Sequence, residues 1–219
     1  MQRVSWGKMQ NPIRGVLHGS AAGVSIVGLV FLLTRGGSVT VRGALAVYGL
    51  SLVALYTTSS LYHSVPWNSV WKARWQKLDH TLIYVLVAGT ATPLLVMMLS
   101  GWWLLTGLLL LWGLAGMGAM KEFWPRTRKR WSLALQMVLG GFALVPVARM
   151  LVEMQPTAAA LTLSGSVVYL GALAAFVRRR PVLAPRIFSY HEVFHVFVVV
   201  ASVVHFLAVL QVVEAVGTV

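Results

Sequence analysis

Apolar residues in this chain neither alternate with polar ones nor form a narrow helical stripe; they run in long blocks separated by short polar joints. Blocks of roughly 18 or more largely apolar residues cover Val16–Leu33, Ala44–Tyr62, Leu82–Leu99, Trp102–Met120, Leu133–Met150, Ala158–Val177 and Val193–Val216. Each is long enough to cross a bilayer as a helix. Hydrocarbon offers the backbone no hydrogen bonds, so such blocks must be helical. Polar residues opening the last block extend it to 190–216. The pattern predicts an all-α integral membrane protein, a seven-transmembrane helix bundle forming a single domain over residues 1–219. The first block follows basic residues, as a secretory signal does, but it approaches a full span and ends without a small-residue cleavage pattern, so it is read as a mature helix.

Composition agrees: 58% of residues are hydrophobic, 11% are charged, and mean hydropathy is +0.78. A soluble domain carries about twice that charged fraction. There are no cysteines, which excludes disulfides and thiolate metal sites. Pro93 and Pro146 fall inside the third and fifth blocks and predict kinks. Gly19-x-x-x-Gly23, Gly113/Gly116/Gly118 and Gly140-Gly141 predict close helix approaches. Trp67, Trp71, Trp75, Trp102, Trp103, Trp124 and Trp131 cluster near block ends, the headgroup level. No repeat or phosphate-binding glycine loop is visible.

The net charge of +13 and pI near 11.2 would suggest nucleic acid if the charge lay on one face or tail. It lies instead in alternate joints. Arg3, Lys8 and Arg14 precede the first block; Lys72, Arg74 and Lys77 fall in the second joint; Lys121, Arg126, Arg128, Lys129 and Arg130 in the fourth; Arg178, Arg179, Arg180 and Arg186 in the sixth. Of the 18 basic residues only Arg35, Arg42 and Arg149 lie on the opposite side. The positive-inside rule therefore puts the N-terminus in the cytoplasm and, after seven spans, the C-terminus outside. Lipid, not nucleic acid, is the expected partner.

That topology gives the polar residues a meaning. His191-x-x-x-His195 opens the last block, and two imidazoles four residues apart share one helix face and can hold one metal ion. The second span returns to the cytoplasmic boundary at Ser59-x-x-x-His63, and Asp79, the chain's one aspartate, begins the third span on the same side. His63, Asp79, His191 and His195 are thus expected at one membrane level. Three neutral imidazoles with an open fourth position describe a catalytic rather than a structural zinc site, one zinc per chain, in which a bound water's pKa falls toward ~7. Asp79 could accept that water's proton, and Ser59 could donate to a substrate oxygen. Such groups near hydrocarbon are costly unless paired or coordinated.

Among the remaining polar residues, His205 is too far along its helix to reach the same ion and is read as lining a cavity or bonding a neighbouring helix. His80 points away from Asp79 and is read as structural, His18 as capping or lining the pocket, Glu192 as facing solvent, and Lys121 with Glu122 as an interfacial pair.

Ser59-Ser60-Leu61-Tyr62-His63, Lys77-Leu78-Asp79-His80 with Ala88-Gly89-Thr90-Ala91-Thr92-Pro93, and His191-Glu192-Val193-Phe194-His195 with Val204-His205-Phe206 resemble the bacterial hemolysin III branch of the family that includes the adiponectin and progestin receptors. The similarity follows the family's order over most of the chain. It implies a seven-helix bundle in the bacterial plasma (inner) membrane, with zinc ligands at His63, His191 and His195, a water-holding aspartate at Asp79 and the family serine at Ser59. It also implies kinship with membrane hydrolases such as alkaline ceramidases. The sequence departs from the family's bacterial members at its start, Asn11 to Gly19, where a Glu-rich stretch is usual, and at Glu192, where an alanine-aromatic pair is usual.

The expectation is a zinc-dependent intramembrane hydrolase of a lipid amide or acyl bond, ceramidase-like and serving membrane lipid homeostasis. The alternatives are a non-enzymatic, receptor-like sensor of membrane state with structural zinc, and a hemolysin III-type pore former, against which the scarcity of charge within the spans weighs. A di-iron desaturase would need more than the six histidines present. A reporter fused after Val219 should face outward and one inserted at Lys129 should face the cytoplasm; the opposite result at Val219 would overturn the topology.

Overall fold

The computed structural model describes residues 9–124, 129–142, 144–153, 155–184 and 187–217. Arg3, Lys8, Arg126, Arg128 and Arg186 of the basic joints, and Val219, lie outside the described residues. Eight α-helices follow in order: α1 Pro12–Arg35, α2 Val39–Ser64, α3 Ser69–Met98, α4 Gly101–Phe123, α5 Lys129–Gly141, α6 Leu144–Val152, α7 Pro156–Arg178 and α8 Tyr190–Gly217. Among the described residues seven helical segments are long and apolar enough to cross a membrane, the fifth being Ala134–Val152, formed by α5 and α6 together. No β-strand forms among them; a single bridge joins Ala184 to Phe188 between α7 and α8.

Local chemistry sets the helix ends. Pro12 and Pro156 stand in the first turns of α1 and α7, where a missing N–H costs nothing. Ser38 and Asn68 cap α2 and α3 by accepting from the backbone N–H of Val41 at 3.2 Å and Trp71 at 3.0 Å, satisfying donors the helix cannot. Between α3 and α4 the chain reverses through Leu99 and Ser100 into Gly101, whose φ of +55° favours a residue without a Cβ.

Two spans differ from expectation. The third helix starts at Ser69 rather than at residue 82, so Asp79 lies three turns inside it instead of at its head. Its first turns are amphipathic: Trp67 stacks on Trp75 with ring centroids 5.1 Å apart, and the Arg74 guanidinium sits 4.9 Å from the Trp71 ring centroid. A count of apolar residues alone misses such turns. The fifth span is broken. Pro146 has no N–H for the carbonyl of Phe142, and Val145 donates to that carbonyl instead, at 3.1 Å, so the chain restarts as α6 rather than bending as one helix. α3 runs unbroken through Pro93.

The bundle is held mainly by α1 on α2, α7 on α8, and α3 at the centre against α2, α4, α5, α6 and α8. More than half of α3's apolar window is buried (56%), against 17% for α1, so α3 is the axis and α1 a peripheral helix. Val24, Val27, Val30, Trp102, Trp103 and Leu109 are exposed, an apolar surface suited to lipid and not to water. Of the predicted glycine contacts, Gly118 packs directly against the Tyr84 ring and Gly19 faces Ser60, whereas Gly23, Gly113, Gly116, Gly140 and Gly141 meet nothing within 4 Å. Gly49 against Leu29, and Gly165 against His205, are close approaches outside the glycine motifs.

Candidate metal centre

The end of α2, the middle of the first half of α3 and the head of α8 meet on one side of the bundle. His63, the penultimate residue of α2, and His195 are buried, each 3% exposed; His191 is half-buried. Ring centroids lie 5.5 Å apart for His63 and His191, 4.8 Å for His63 and His195, and 5.0 Å for His191 and His195. One nitrogen from each lies within 4.8 Å of the others. Zinc–imidazole bonds of about 2.0–2.1 Å place tetrahedral ligand nitrogens about 3.4 Å apart. Small side-chain rotations therefore suffice, and three imidazoles without a thiolate match zinc's preferences. The residues fit a metal ion.

Asp79 and Ser59 are buried beside this trio. Ser59 lies within side-chain hydrogen-bonding reach of the Asp79 carboxylate. Both, with all three histidines, line one cavity of about 600 Å³ that continues inward between α3, α7 and α8. All five predicted site residues are thus brought together, despite the long stretch of sequence between Asp79 and His191.

The surroundings immobilise the trio. Asn11 N–H donates to the His63 carbonyl at 3.0 Å, and Gln10 N–H to that of Ser64 at 3.3 Å, so the segment entering α1 closes the end of α2. Ser60 Oγ donates to the Gly15 carbonyl at 2.7 Å. His18, from α1, puts a ring nitrogen 2.9 Å from His195 Nδ1, leaving Nε2 of His195 as the nitrogen available to an ion. A ligating imidazole held through its other nitrogen is fixed in ring orientation and tautomer. His18 thus lines the cavity, as expected, and in addition supports His195, one of the three histidines that could hold an ion.

Glu192 does not face solvent: it is 7% exposed. Its Oε1 accepts from Arg14 Nε at 2.7 Å and lies 2.6 Å from Arg14 Nη2, and Oε2 accepts from Ser189 N–H at 2.8 Å and Ser189 Oγ at 2.6 Å. Ser189-x-x-Glu192 is a capping-box pattern, a signal present in the sequence that the apolar-run reading passed over. The other half, Arg14, has no local signal because its partner is contributed by α8. The pair locks α1 to the head of α8, directly under His191 and His195.

A polar chain on the opposite wall joins His80 Nδ1 to Glu122 Oε2 at 3.3 Å, Lys121 Nζ to Glu122 Oε1 at 3.1 Å and Lys121 Nζ to Tyr84 Oη at 3.4 Å. These residues bridge α3 and α4, as the structural reading of His80 and the Lys121–Glu122 pair expects.

The fold and site define a membrane protein of seven spans with a histidine trio able to hold a metal ion at one end of a cavity. The chain belongs to the haemolysin-III related family, whose pattern matches residues 6–206. It is 30% identical over 215 residues to Hemolysin-3 of Bacillus cereus, covering 96% of this chain and 94% of that protein. It is 31% identical over 200 residues to a Hemolysin-3 homolog of Bacillus subtilis (strain 168), covering 89% and 90% respectively.

The purified protein should carry about one zinc, and His195→Ala and His191→Ala should each lose it, with a lower Tm than the loaded protein, since an ion bound only by the folded state stabilises it. Full metal occupancy in both variants would remove the site. Arg14→Ala strands a buried carboxylate and should cost about 3 kcal/mol, read as a Tm drop that Arg14→Ala/Glu192→Gln partly restores.

Proposed function

We propose that the protein is a zinc-dependent intramembrane hydrolase that cleaves an amide or acyl bond of a lipid, in the plasma membrane of a bacterium, with the metal end toward the cytoplasm. The observation that carries this reading is the convergence of His63, His191 and His195 with Asp79 and Ser59 on the wall of one cavity. That cavity, about 600 Å³, is of the size that holds a small lipid-like ligand.

His63, His191 and His195 would hold the ion. When bound, it supplies a Lewis acid for the scissile carbonyl and lowers the pKa of a water. Asp79 accepts the proton of the attacking water at its carboxylate and returns it to the leaving amine or alcohol. Ser59 Oγ donates to the carbonyl oxygen as negative charge gathers there, which favours the transition state over the ground state. The apolar walls contributed by Leu55, Ile83, Leu86 and Phe194 hold the chain of the substrate and keep bulk water from the site.

A second reading, a non-catalytic sensor of membrane state, is favoured by one observation: the three histidines tie the end of α2 to the head of α8, so an ion there is a clasp between helices. The relatives' name, hemolysin, raises membrane lysis. A wide pore requires a polar lining, whereas much of this cavity is walled by leucine, isoleucine, valine and aromatic side chains.

Asp79→Asn separates enzyme from clasp. A hydrolase variant of this kind should keep its zinc and its Tm yet lose roughly two to four orders of magnitude in turnover, the range for a removed general base. The measurement is fatty acid released from N-acylated lipids such as ceramides in liposomes, beside metal content. No release by zinc-loaded wild type across a broad lipid panel would favour the sensor, and equal release by both proteins would remove Asp79 as the base.

A further inference from the structure

The cavity has a second polar region, deep within the bundle and away from the metal centre. Tyr169 Oη is buried without a hydrogen-bond partner among the described residues, and Tyr169 lines the cavity. Its hydroxyl, on α7, stands two turns before Phe176, the residue whose ring lies 5.1 Å from that of His191. That is about 10 Å of helix rise inward from the metal level. A hydroxyl left unpaired at that depth costs several kcal/mol in hydrocarbon, so something should meet it.

His205 supplies the complementary group. It lies about 15 Å of helix rise beyond His195, also on the cavity wall. Its Nδ1 is 2.8 Å from the Ala201 carbonyl. A carbonyl only accepts, so Nδ1 carries the proton and Nε2 of the neutral ring is an acceptor. Gly165 brings α7 against this ring: a Cβ there would come within 2.6 Å of it. Tyr169 is one turn on from Gly165, on the same helix face. The neighbouring hydroxyls are turned elsewhere, Thr162 donating to the Ala158 carbonyl at 2.8 Å and Ser166 to the Thr162 carbonyl at 2.9 Å. Tyr169 Oη thus offers a donor without a partner among the described residues, and His205 Nε2 offers an acceptor on the wall of the same cavity.

We infer that Tyr169 and His205 form a deep subsite for a hydroxyl group carried in the middle of a lipid chain whose carbonyl end lies at the metal centre. A hydroxyl can accept from Tyr169 and donate to His205; a plain methylene chain can do neither and leaves the tyrosine unsatisfied. This rests on the reading of the cavity as a lipid site, though not on turnover.

The test is equilibrium binding of two probes to the purified zinc-loaded protein in detergent: stearic acid, and hydroxystearic acid bearing one hydroxyl at mid-chain. Wild type should bind the hydroxylated acid about tenfold more tightly, the worth of one or two buried hydrogen bonds. Tyr169→Phe, which removes one oxygen and no packing volume of consequence, should abolish that preference while leaving stearic acid binding and zinc content unchanged. His205→Leu should reduce it as well. Equal affinity of wild type for the two acids overturns this inference alone, as does a preference that survives Tyr169→Phe or a Tyr169→Phe variant that loses both acids equally. Binding of neither acid overturns it together with the lipid reading. Loss of hydrolysis with the preference intact would overturn only the catalytic proposal.

Discussion

A polar side chain inside a membrane bundle must find its partner within the protein, and in this chain that requirement gathers His63, His191 and His195 at the junction of α2 and α8. The ends of helices are where such groups cost least, because water and headgroups are near, yet His63 and His195 are buried there all the same. Burial of imidazoles in close mutual contact is not a resting arrangement for three potential cations, whereas it suits three neutral donors around one ion. Several polar contacts at this end support that meeting point, among them Asn11 on the His63 carbonyl, His18 on His195, and Arg14 with Ser189 on Glu192. α1 contributes to all of them except Ser189, although it is the least buried of the spans. Its polar contacts are concentrated in its first two turns, and beyond them it packs on α2 with one face and exposes the other.

The same requirement explains why the cavity exists. Helices in lipid gain nothing from hydrophobic exclusion against one another and associate through close packing and hydrogen bonds. At the histidine end the bundle is drawn together by side-chain hydrogen bonds and an ion pair; further along α3 small residues add to this, with Gly118 against Tyr84 and Gly89 directly against Ser51. Between these two zones α7 and α8 contact each other extensively while α7 stands off from α3, and the space left is lined by their facing side chains. A reactive group at one end of an apolar slot is the arrangement that a lipid, with one polar terminus and a long chain, can fill.

Much of this was legible in the sequence. Seven apolar blocks give seven spans, since hydrocarbon allows little else; the four-residue spacing of His191 and His195 gives a shared face; and counting spans from one side brings His63 and Asp79 to them. What was not legible depends on contacts between distant segments or on polar turns. The first turns of α3 are rich in Trp, Lys and Arg and hide a helix from any apolar count. Pro146 predicts a disturbance but not that Val145 will take over the Phe142 carbonyl and split the span. Glu192 reads as solvent-facing because its helix position is off the ligand face, and only Arg14, far away in sequence, makes burial tolerable. Likewise nothing near Tyr169 signals that its hydroxyl is left without a partner on a cavity wall.

Depth within the cavity then acquires a physical meaning. At the histidine end the polar groups are abundant and mutually paired, an arrangement that would suit the proposed chemistry on a carbonyl, because a preorganised site does not spend binding energy on arranging itself at the moment of reaction. At the deep end Thr162 and Ser166 return their hydrogen bonds to their own helix, which leaves Tyr169 and His205 as polar positions on a largely apolar wall. A uniform apolar slot would discriminate poorly between chains, since one methylene more or less is worth only about 1–3 kcal/mol. A slot with one unsatisfied polar position discriminates more sharply, because the wrong chain leaves a buried group unpaired. On the proposed reading the two tasks are separated along the helix axis: reactivity where α2 ends and α8 begins, selection where α7 and α8 run side by side.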